Sequence, residues 1–192
     1  MRALRRLRPE GLPAVLVIGD GPIGLLLVLL LRAHGVEHVA LAGGRPARLE
    51  LARGLGARAV VNYHEASADL PAALAALPGA PFPAVVEASG ATAGLEAALQ
   101  VAARGGRVAV VGDYGAARAG FAWNQLLHRE LELIGPNASA GAWPEAVQLA
   151  VDGCLPLERL VSRCYPVAEA AAAFACVRRS REVVKVVLEW RD

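Results

Sequence analysis

The chain has 192 residues, which is enough for one domain with a sizeable core and barely enough for two. Hydrophobic residues make up 55% of the sequence, so the chain can bury a core and global disorder is not expected. The 20 basic and 18 acidic side chains give a formal net charge of +2, and this near-balance argues against nucleic acid as the main partner.

Three segments bear on membrane contact and compartment. Residues 15–31 are the most apolar stretch, but they are short for a membrane span and contain Asp20, Pro22 and three glycines, so no membrane partner is expected. The basic residues 1–8 are interpreted as the end of a solvated helix, with a targeting segment as the alternative. The sequence has three cysteines, Cys154, Cys164 and Cys176, and no secretory signal. An odd number of cysteines in such a chain predicts free thiols in a reducing compartment, the cytoplasm, and we expect them to be buried.

Strand and helix signals alternate through the first two-thirds of the chain. Short apolar runs predict strands at residues 14–18, 37–42, 59–62, 84–88 and 107–111. Helices are predicted at residues 23–33, 46–55, 66–77 and 91–103. The third of these is expected to be broken by prolines at 71 and 78, and the fourth to be ended by the glycines at 105 and 106. Strands that alternate with helices pair in parallel through right-handed crossovers, and buried parallel strands are apolar throughout. The predicted fold class is therefore α/β, a doubly wound parallel sheet with helices on both faces.

The pattern changes after the fifth predicted strand. Residues 113–122 are rich in Gly and Ala and predict a loop, and residues 130–134 alternate charged and apolar side chains, which predicts a half-exposed strand. Two helices, at 143–151 and 167–177, and a final strand at 182–189 are predicted beyond it. We divide the chain into a dinucleotide-binding Rossmann domain, residues 1–136, and a C-terminal tail, residues 137–192.

A glycine-rich turn joins the first predicted strand to the first long helix. Its sequence, Gly-Asp-Gly-Pro-Ile-Gly, fits the G-x-G-x-x-G fingerprint in the required strand–turn–helix context. In such a turn the first glycine allows the tight bend, the second lets a pyrophosphate approach and the third lets the helix pack on the strand. A dinucleotide is therefore predicted at Gly19, Gly21, Pro22, Ile23 and Gly24, and the alternative is a purely structural glycine turn.

The end of the second predicted strand indicates which dinucleotide is bound. NAD-preferring domains place an acid there to bond the ribose 2′-OH, but this chain has Gly43 and Gly44, and no carboxylate follows until Glu50. Arg45 could bind a 2′-phosphate with its planar fork, so NADP is predicted over NAD. In the alternative interpretation, Arg45 and Arg48 are merely solvated.

Taken in order, several segments resemble the cofactor-binding, C-terminal half of the zinc-type medium-chain alcohol dehydrogenases. The Gly-Pro-Ile-Gly form of the fingerprint is typical of that family, and the resemblance covers about residues 15–188. The segments that carry it are 15–24, 48–57, 85–90, 105–108, 131–135 and 184–188.

The resemblance implies roles for further residues. Residues 43–46 are similar to a Gly-Ser-Arg-Pro segment of NADP-preferring secondary-alcohol dehydrogenases, which also have a tyrosine near the 2′-phosphate. Lys185 falls where many members have an arginine that reaches the pyrophosphate, although a plain surface lysine is equally consistent with the sequence. The other implied cofactor contacts are Tyr63 at the 2′-phosphate, Ala88, Ser89 and Gly90 at the nicotinamide ribose, and Gly112 at the nicotinamide.

The sequence departs from the family in one respect. Members carry a catalytic domain before this fold, and that domain supplies the zinc ligands. The histidines of this chain do not match such ligands: His34, His38, His64 and His128. We therefore expect neither a catalytic nor a metal-binding residue in this chain. The family also implies a homodimer through an edge strand near residues 131–135 and a tail that packs against the catalytic domain.

The resemblance thus implies an oxidoreductase, with this chain as the NADP(H)-binding domain of an alcohol or polyol dehydrogenase. The complete enzyme would transfer a hydride between the nicotinamide and a carbonyl carbon. Zinc would be bound only in the other half, and the chain alone would be inactive because a Lewis acid polarises the substrate oxygen in this chemistry. The alternative is a dinucleotide-binding module without catalysis.

Overall fold

The computed structural model describes residues 1–66, 69–118 and 120–190. Its helices are α1 (Arg2–Leu7), α2 (Pro22–Ala33), α3 (Pro46–Gly54), α4 (Leu70–Ala75), α5 (Thr92–Val101), α6 (Asn124–Arg129), α7 (Trp143–Val151) and α8 (Ala170–Arg179). Its strands are β1 (Ala14–Ile18), β2 (His38–Gly43), β3 (Ala59–Asn62), β4 (Phe82–Glu87), β5 (Ala102–Val110), β6 (Glu132–Ile134), β7 (Val161–Pro166) and β8 (Lys185–Glu189). Short 3-10 turns precede β7 and α8, at Leu157–Leu160 and Val167–Glu169.

The main sheet confirms the predicted doubly wound topology. Within the described ranges, six parallel strands are ordered β3-β2-β1-β4-β5-β6, and β7 and β8 form a separate parallel pair. The strand order reverses between β1 and β4, and ligands of such sheets bind in the crevice at the carboxyl ends of the strands on either side of this switch point. The topology therefore places the candidate site beyond Ile18 and Glu87.

The core has two layers, one on each face of the sheet. All five residues of β1 are buried. Val15 and Val17 belong to the cluster that contains Leu25 of α2, whereas Leu16 and Ile18 belong to the opposite cluster, with residues of α5. Alternate side chains of a strand point to opposite faces, so an uninterrupted apolar run is needed when helices cover both sides.

The N-terminal helix and part of the tail pack on this domain. Leu4 and Leu7 lie on the buried face of α1. The exposed Arg5 of the same helix pairs with Glu145 of α7 at 2.6 Å. The basic segment is therefore a helix with one buried face. In the tail, Leu155 is also buried in the core. None of the helices in the described ranges is long and apolar enough to cross a membrane.

Some predicted boundaries are wrong. The glycines at 105 and 106 do not end α5, which stops at Val101; they lie inside β5, where the register with β4 shifts. Pro71 does not break the third helix, because it occupies the first turn of α4, where a missing N–H is tolerated, and Asp69 caps that turn. Residues 67 and 68 of that prediction, and residue 119 of the predicted loop, lie outside the described residues. Neither α6 nor β7 was predicted.

Candidate cofactor site

A cavity of about 610 Å³ lies where β1 and β4 end. The fingerprint turn, the start of α3 and the segment after β4 all contribute to its wall. Among the residues predicted from the sequence, the following line it: Gly19, Gly21, Arg45, Arg48, Tyr63, Ala88 and Ser89. The structure thus brings together residues from four separate parts of the chain, at residues 19–21, 45–48, 63 and 88–89.

The fingerprint turn has the backbone geometry of a phosphate cradle. Gly19 has φ +122°, and a Cβ there would lie 2.8 Å from the backbone of Ala88. A Cβ on Gly24 would overlap the carbonyl oxygen of Gly19, whereas nothing lies within 4 Å of the corresponding position on Gly21. Beyond this open space α2 begins at Pro22, and the free N–H groups of its first turn suit a pyrophosphate.

Asp20, in the wall of the cavity, is only 3% exposed and accepts several hydrogen bonds. Its Oδ2 accepts hydrogen bonds from the backbone N–H groups of Gly44 at 3.0 Å and Arg45 at 2.8 Å. Its Oδ1 accepts a third bond from the Nη1 of Arg45 at 2.8 Å. Gly43 is packed against this side chain, because a Cβ there would lie 2.5 Å from the Cβ of Asp20.

Arg45 and Arg48 are not merely solvated side chains. Arg48 is buried, its Nη2 donates to the carbonyl oxygen of Val183 at 2.5 Å, and burial, followed by the charge of Arg45, lowers its pKa. The Nε groups of both arginines are buried and have no hydrogen-bond partner in the described part of the chain. Two cationic groups with spare donors at the end of the cavity fit an anionic group of a cofactor. Tyr63 covers Gly44, since a Cβ on that glycine would overlap the tyrosine ring.

Glu87 is fully buried at the end of β4, directly before Ala88 and Ser89, which line the cavity. Its carboxylate accepts bonds from the backbone N–H of Ser89 at 2.7 Å, the Ser89 hydroxyl and the backbone N–H of Gly90 at 3.3 Å. The hydroxyl of Tyr114 donates to it at 2.6 Å, and burial together with this bond raises the pKa of Tyr114. Gly112 packs closely against Gly90, so the loops after β4 and β5 form one unit.

The remaining predicted site residues lie beside the cavity or away from it. Pro22 and Ile23 form the first turn of α2, and Ile23 is 52% exposed. Lys185 is exposed at the start of β8 and does not line the cavity. Its connection to the site is indirect, through Val183 and the bond to Arg48. In the ranges that the structure describes, no group of three or more His, Cys, Asp or Glu could hold a metal ion.

Sequence reasoning missed Asp20, Glu87 and Tyr114 as functional groups. The signal for Asp20 was available, because the fingerprint carries a carboxylate while the end of the second strand, where one is usual, has none. Glu87 could have been suspected as a charge that closes an otherwise apolar strand. Nothing in the sequence pairs Tyr114 with Glu87, since the two are 27 residues apart.

The sheet order, the glycine turn and the cavity at the switch point define a dinucleotide-binding domain of the Rossmann type. A sequence model of the family described as zinc-binding dehydrogenase matches residues 22–152. The chain belongs to this family.

Comparison with individual proteins agrees with this assignment. The chain is 32% identical over 179 residues to an L-threonine 3-dehydrogenase of Burkholderia vietnamiensis, an alignment that covers 92% of this chain and 51% of the relative. It superposes with a TM-score of 0.88 and 29% identity on the alcohol dehydrogenase TADH of Thermus sp. ATN1, covering 98% of this chain and 54% of that one. A protein of Sinorhizobium meliloti 1021, described as a zinc-binding dehydrogenase bound to NADP, gives a TM-score of 0.83 at 26% identity, with 98% and 56% coverage. The chain therefore spans about half the length of the relatives it matches.

Proposed function

We propose that this chain is the cofactor-binding domain of a zinc-type alcohol or polyol dehydrogenase and that its cofactor is NADP(H). The observation that carries the proposal is the cavity at the switch point, with the fingerprint turn on one side and Arg45 and Arg48 at one end. The pyrophosphate would lie at Gly21 and the first turn of α2. Residues outside this chain would supply the zinc, which polarises the substrate oxygen in this class of enzyme.

The choice of NADP over NAD rests on the end of β2. Gly43 offers no carboxylate to a ribose 2′-OH, and Arg45 lines the cavity with a buried Nε that lacks a partner among the described residues. A 2′-phosphate carries close to two negative charges and needs a cationic partner when it is partly desolvated.

Titration of the purified chain with NADPH and NADH, followed by cofactor fluorescence, tests the proposal. We expect saturable binding of both cofactors, with NADPH bound more tightly. A chain that binds neither would contradict the assignment to dinucleotide binding. Equal affinities would contradict only the choice of NADP. The chain alone should hold no stoichiometric zinc and oxidise no alcohol, which elemental analysis and an activity assay would check.

We also propose a homodimer through β6. This strand lies at the edge of the main sheet, and Leu133 is 43% exposed. An exposed edge presents unpaired N–H and C=O groups, which a second copy could satisfy across a two-fold axis. Light scattering should give twice the monomer mass; a clean monomer at high concentration would reject the dimer.

The division at residue 136 and the cytoplasmic location stay proposals. Large apolar side chains are exposed on α8, on α6 and at the residue that precedes α6: Trp123, Leu127, Phe174 and Val177. Such side chains suit a surface that packs against a further domain, as the tail does in the family. The three cysteines are free, which fits a reducing compartment. The expectation that they are buried is wrong, because Cys154 and Cys164 are exposed and Cys176 is only partly buried.

A further inference from the structure

The carboxylate of Asp20 lies beside the end of β2, although it comes from the turn after β1. A Cβ on Gly43 would lie 2.5 Å from the Cβ of Asp20 and 2.9 Å from its Oδ2. The Asp20 side chain therefore occupies the space that any side chain at position 43 would need. Domains that prefer NAD place their ribose-binding acid at this end of the second strand. Here an acid is present at the same place in the fold, supplied by a different loop.

This acid is bonded to the cation that is expected to bind the 2′-phosphate. The Nη1 of Arg45 donates to Oδ1 of Asp20 at 2.8 Å, and the Nη1 of Arg48 lies 4.0 Å from the same oxygen. The Asp20 side chain is only 4% exposed, so water screens its charge weakly. A phosphate that approached Arg45 would meet a guanidinium whose charge is already partly compensated, and it would be repelled by the carboxylate behind it.

We propose that Asp20 is a specificity-determining residue: by pairing with Arg45 it limits the preference of this site for NADPH over NADH. The inference rests on the proposed function, because it takes the cavity to be the dinucleotide site with the ribose near Arg45. It goes beyond that function in assigning the balance between the two cofactors to a residue of the fingerprint turn.

Asp20→Asn separates the charge of this side chain from its shape. The amide oxygen can still accept the N–H groups of Gly44 and Arg45, but the amide NH₂ is a donor and cannot accept the guanidinium bond. Arg45 is then free to turn its full charge toward a 2′-phosphate. We expect the dissociation constant of NADPH to fall about tenfold, which corresponds to about 1.4 kcal/mol. NADH has no 2′-phosphate, so its dissociation constant should change much less.

The experiment is isothermal titration calorimetry of NADPH and NADH on the full chain and its variants. Asp152→Asn is the matched control, because Asp152 is exposed after α7, away from the cavity, and its side chain accepts a bond from Gln148. If Asp20→Asn does not fold, Asp20→Ser replaces it, since the hydroxyl removes the charge and keeps an oxygen acceptor.

The quantity that decides is the ratio of the dissociation constants for NADH and NADPH. A ratio that rises about tenfold in the Asp20 variant and is unchanged in Asp152→Asn supports the proposal. An unchanged ratio, or a lower one because Asp20 only holds Arg45 in position for the phosphate, overturns it and leaves the proposed function intact. A wild-type chain that binds neither cofactor overturns both.

Discussion

Two buried carboxylates, Asp20 in the cavity wall and Glu87 next to it at the end of β4, have different partners. Asp20 is bonded to the cationic side chain of Arg45 and to two backbone N–H groups. Among the described residues, the side-chain donors and backbone N–H groups that bond to the Glu87 carboxylate are neutral and belong to Ser89, Gly90 and Tyr114. One carboxylate is part of a charge pair at the cavity wall, and the other holds two loops together.

The different partners indicate which carboxylate should affect cofactor specificity and which should affect folding stability. A neutral network around a buried carboxylate leaves several donors unsatisfied when the carboxylate is lost, so its removal costs folding free energy. A charge pair at a ligand site can exchange partners when an anion arrives, so its removal should change binding more than folding. Substitutions in the Glu87 network should therefore change mainly stability, and substitutions at the charge pair should change mainly cofactor binding.

The largest effect is expected for Glu87→Ala. The substitution removes the shared acceptor of the Ser89, Gly90 and Tyr114 donors, which are partly buried or exposed, and a hydrogen bond to a charged group contributes about 1.5–3 kcal/mol. We expect a loss of about 3 kcal/mol in the free energy of unfolding, measured by urea denaturation followed by circular dichroism. Glu10→Ala, at an exposed position, serves as the control and should unfold like the wild type. If the two variants have equal midpoints, the network around Glu87 contributes nothing measurable.

Arg45→Ala should act on binding. A charge-assisted bond contributes about 1.5–3 kcal/mol, so NADPH should bind roughly ten- to a hundredfold more weakly, while NADH binding stays almost unchanged. Arg48→Ala should have a smaller effect on the cofactor preference. Raised salt should reduce the NADPH advantage, because the Arg45 side chain is 38% exposed.

Arg104→Ala is the matched control for Arg45→Ala, since Arg104 is an exposed arginine that pairs with Glu130. It should leave the affinities for both cofactors unchanged, as measured by calorimetry. Equal losses for NADPH and NADH in Arg45→Ala would show that Arg45 does not contact the 2′-phosphate.

Tyr114 gives the Glu87 network a signature at high pH. Its pKa is raised in the folded chain, so above the usual tyrosine pKa of about 10 the unfolded chain loses this proton while the folded chain keeps it. The stabilising contribution is therefore present below about pH 10 and is lost as the pH rises further. Urea denaturation between about pH 9 and 11 should show a steeper loss for the wild type than for Tyr114→Phe. Parallel slopes would mean that burial and the bond to Glu87 do not raise the pKa of Tyr114 in the folded chain.

An exposed carboxylate–arginine pair provides the smallest effect. Arg5 bonds to Glu145 and lowers its pKa, but both side chains are more than a third exposed, so solvent screens the pair. Glu145→Gln should cost about 0.5 kcal/mol or less at neutral pH. Because the folded pKa lies below the unfolded value, this contribution should be lost as the pH falls below about 4.5. A loss of unfolding free energy at pH 7 as large as that of Glu87→Ala would contradict the expectation that an exposed ion pair contributes less than the buried Glu87 network.

Much of the fold could be predicted, because the periodicity of apolar residues is local. β1 at Ala14–Ile18, β3 at Ala59–Asn62 and α7 at Trp143–Val151 have the predicted bounds. Predictions failed where tertiary pairing outweighed local signals. β5 continues through its two glycines because β4 provides hydrogen-bond partners across a bulge. β7 is exposed over most of its length but pairs with β8.

The site was predictable only in part, for a related reason. The fingerprint glycines are recognisable because a fixed spacing is required within one turn. The bond between Asp20 and Arg45 joins residues 25 apart, and the bond between Arg48 and Val183 joins residues 135 apart. Contacts of this kind are set by the sheet order, so they become visible only when the fold is known.

A crystal structure of the chain with NADPH would show directly whether this cofactor binds in the switch-point cavity with its 2′-phosphate at Arg45. We predict the pyrophosphate at Gly21 and the first turn of α2, and the 2′-phosphate within hydrogen-bond distance of the guanidinium of Arg45. A cofactor bound in this cavity with its 2′-phosphate in contact with neither Arg45 nor Arg48 would contradict the assignment of NADP specificity. A cofactor bound elsewhere on the chain would contradict the assignment of the switch-point cavity as the dinucleotide site.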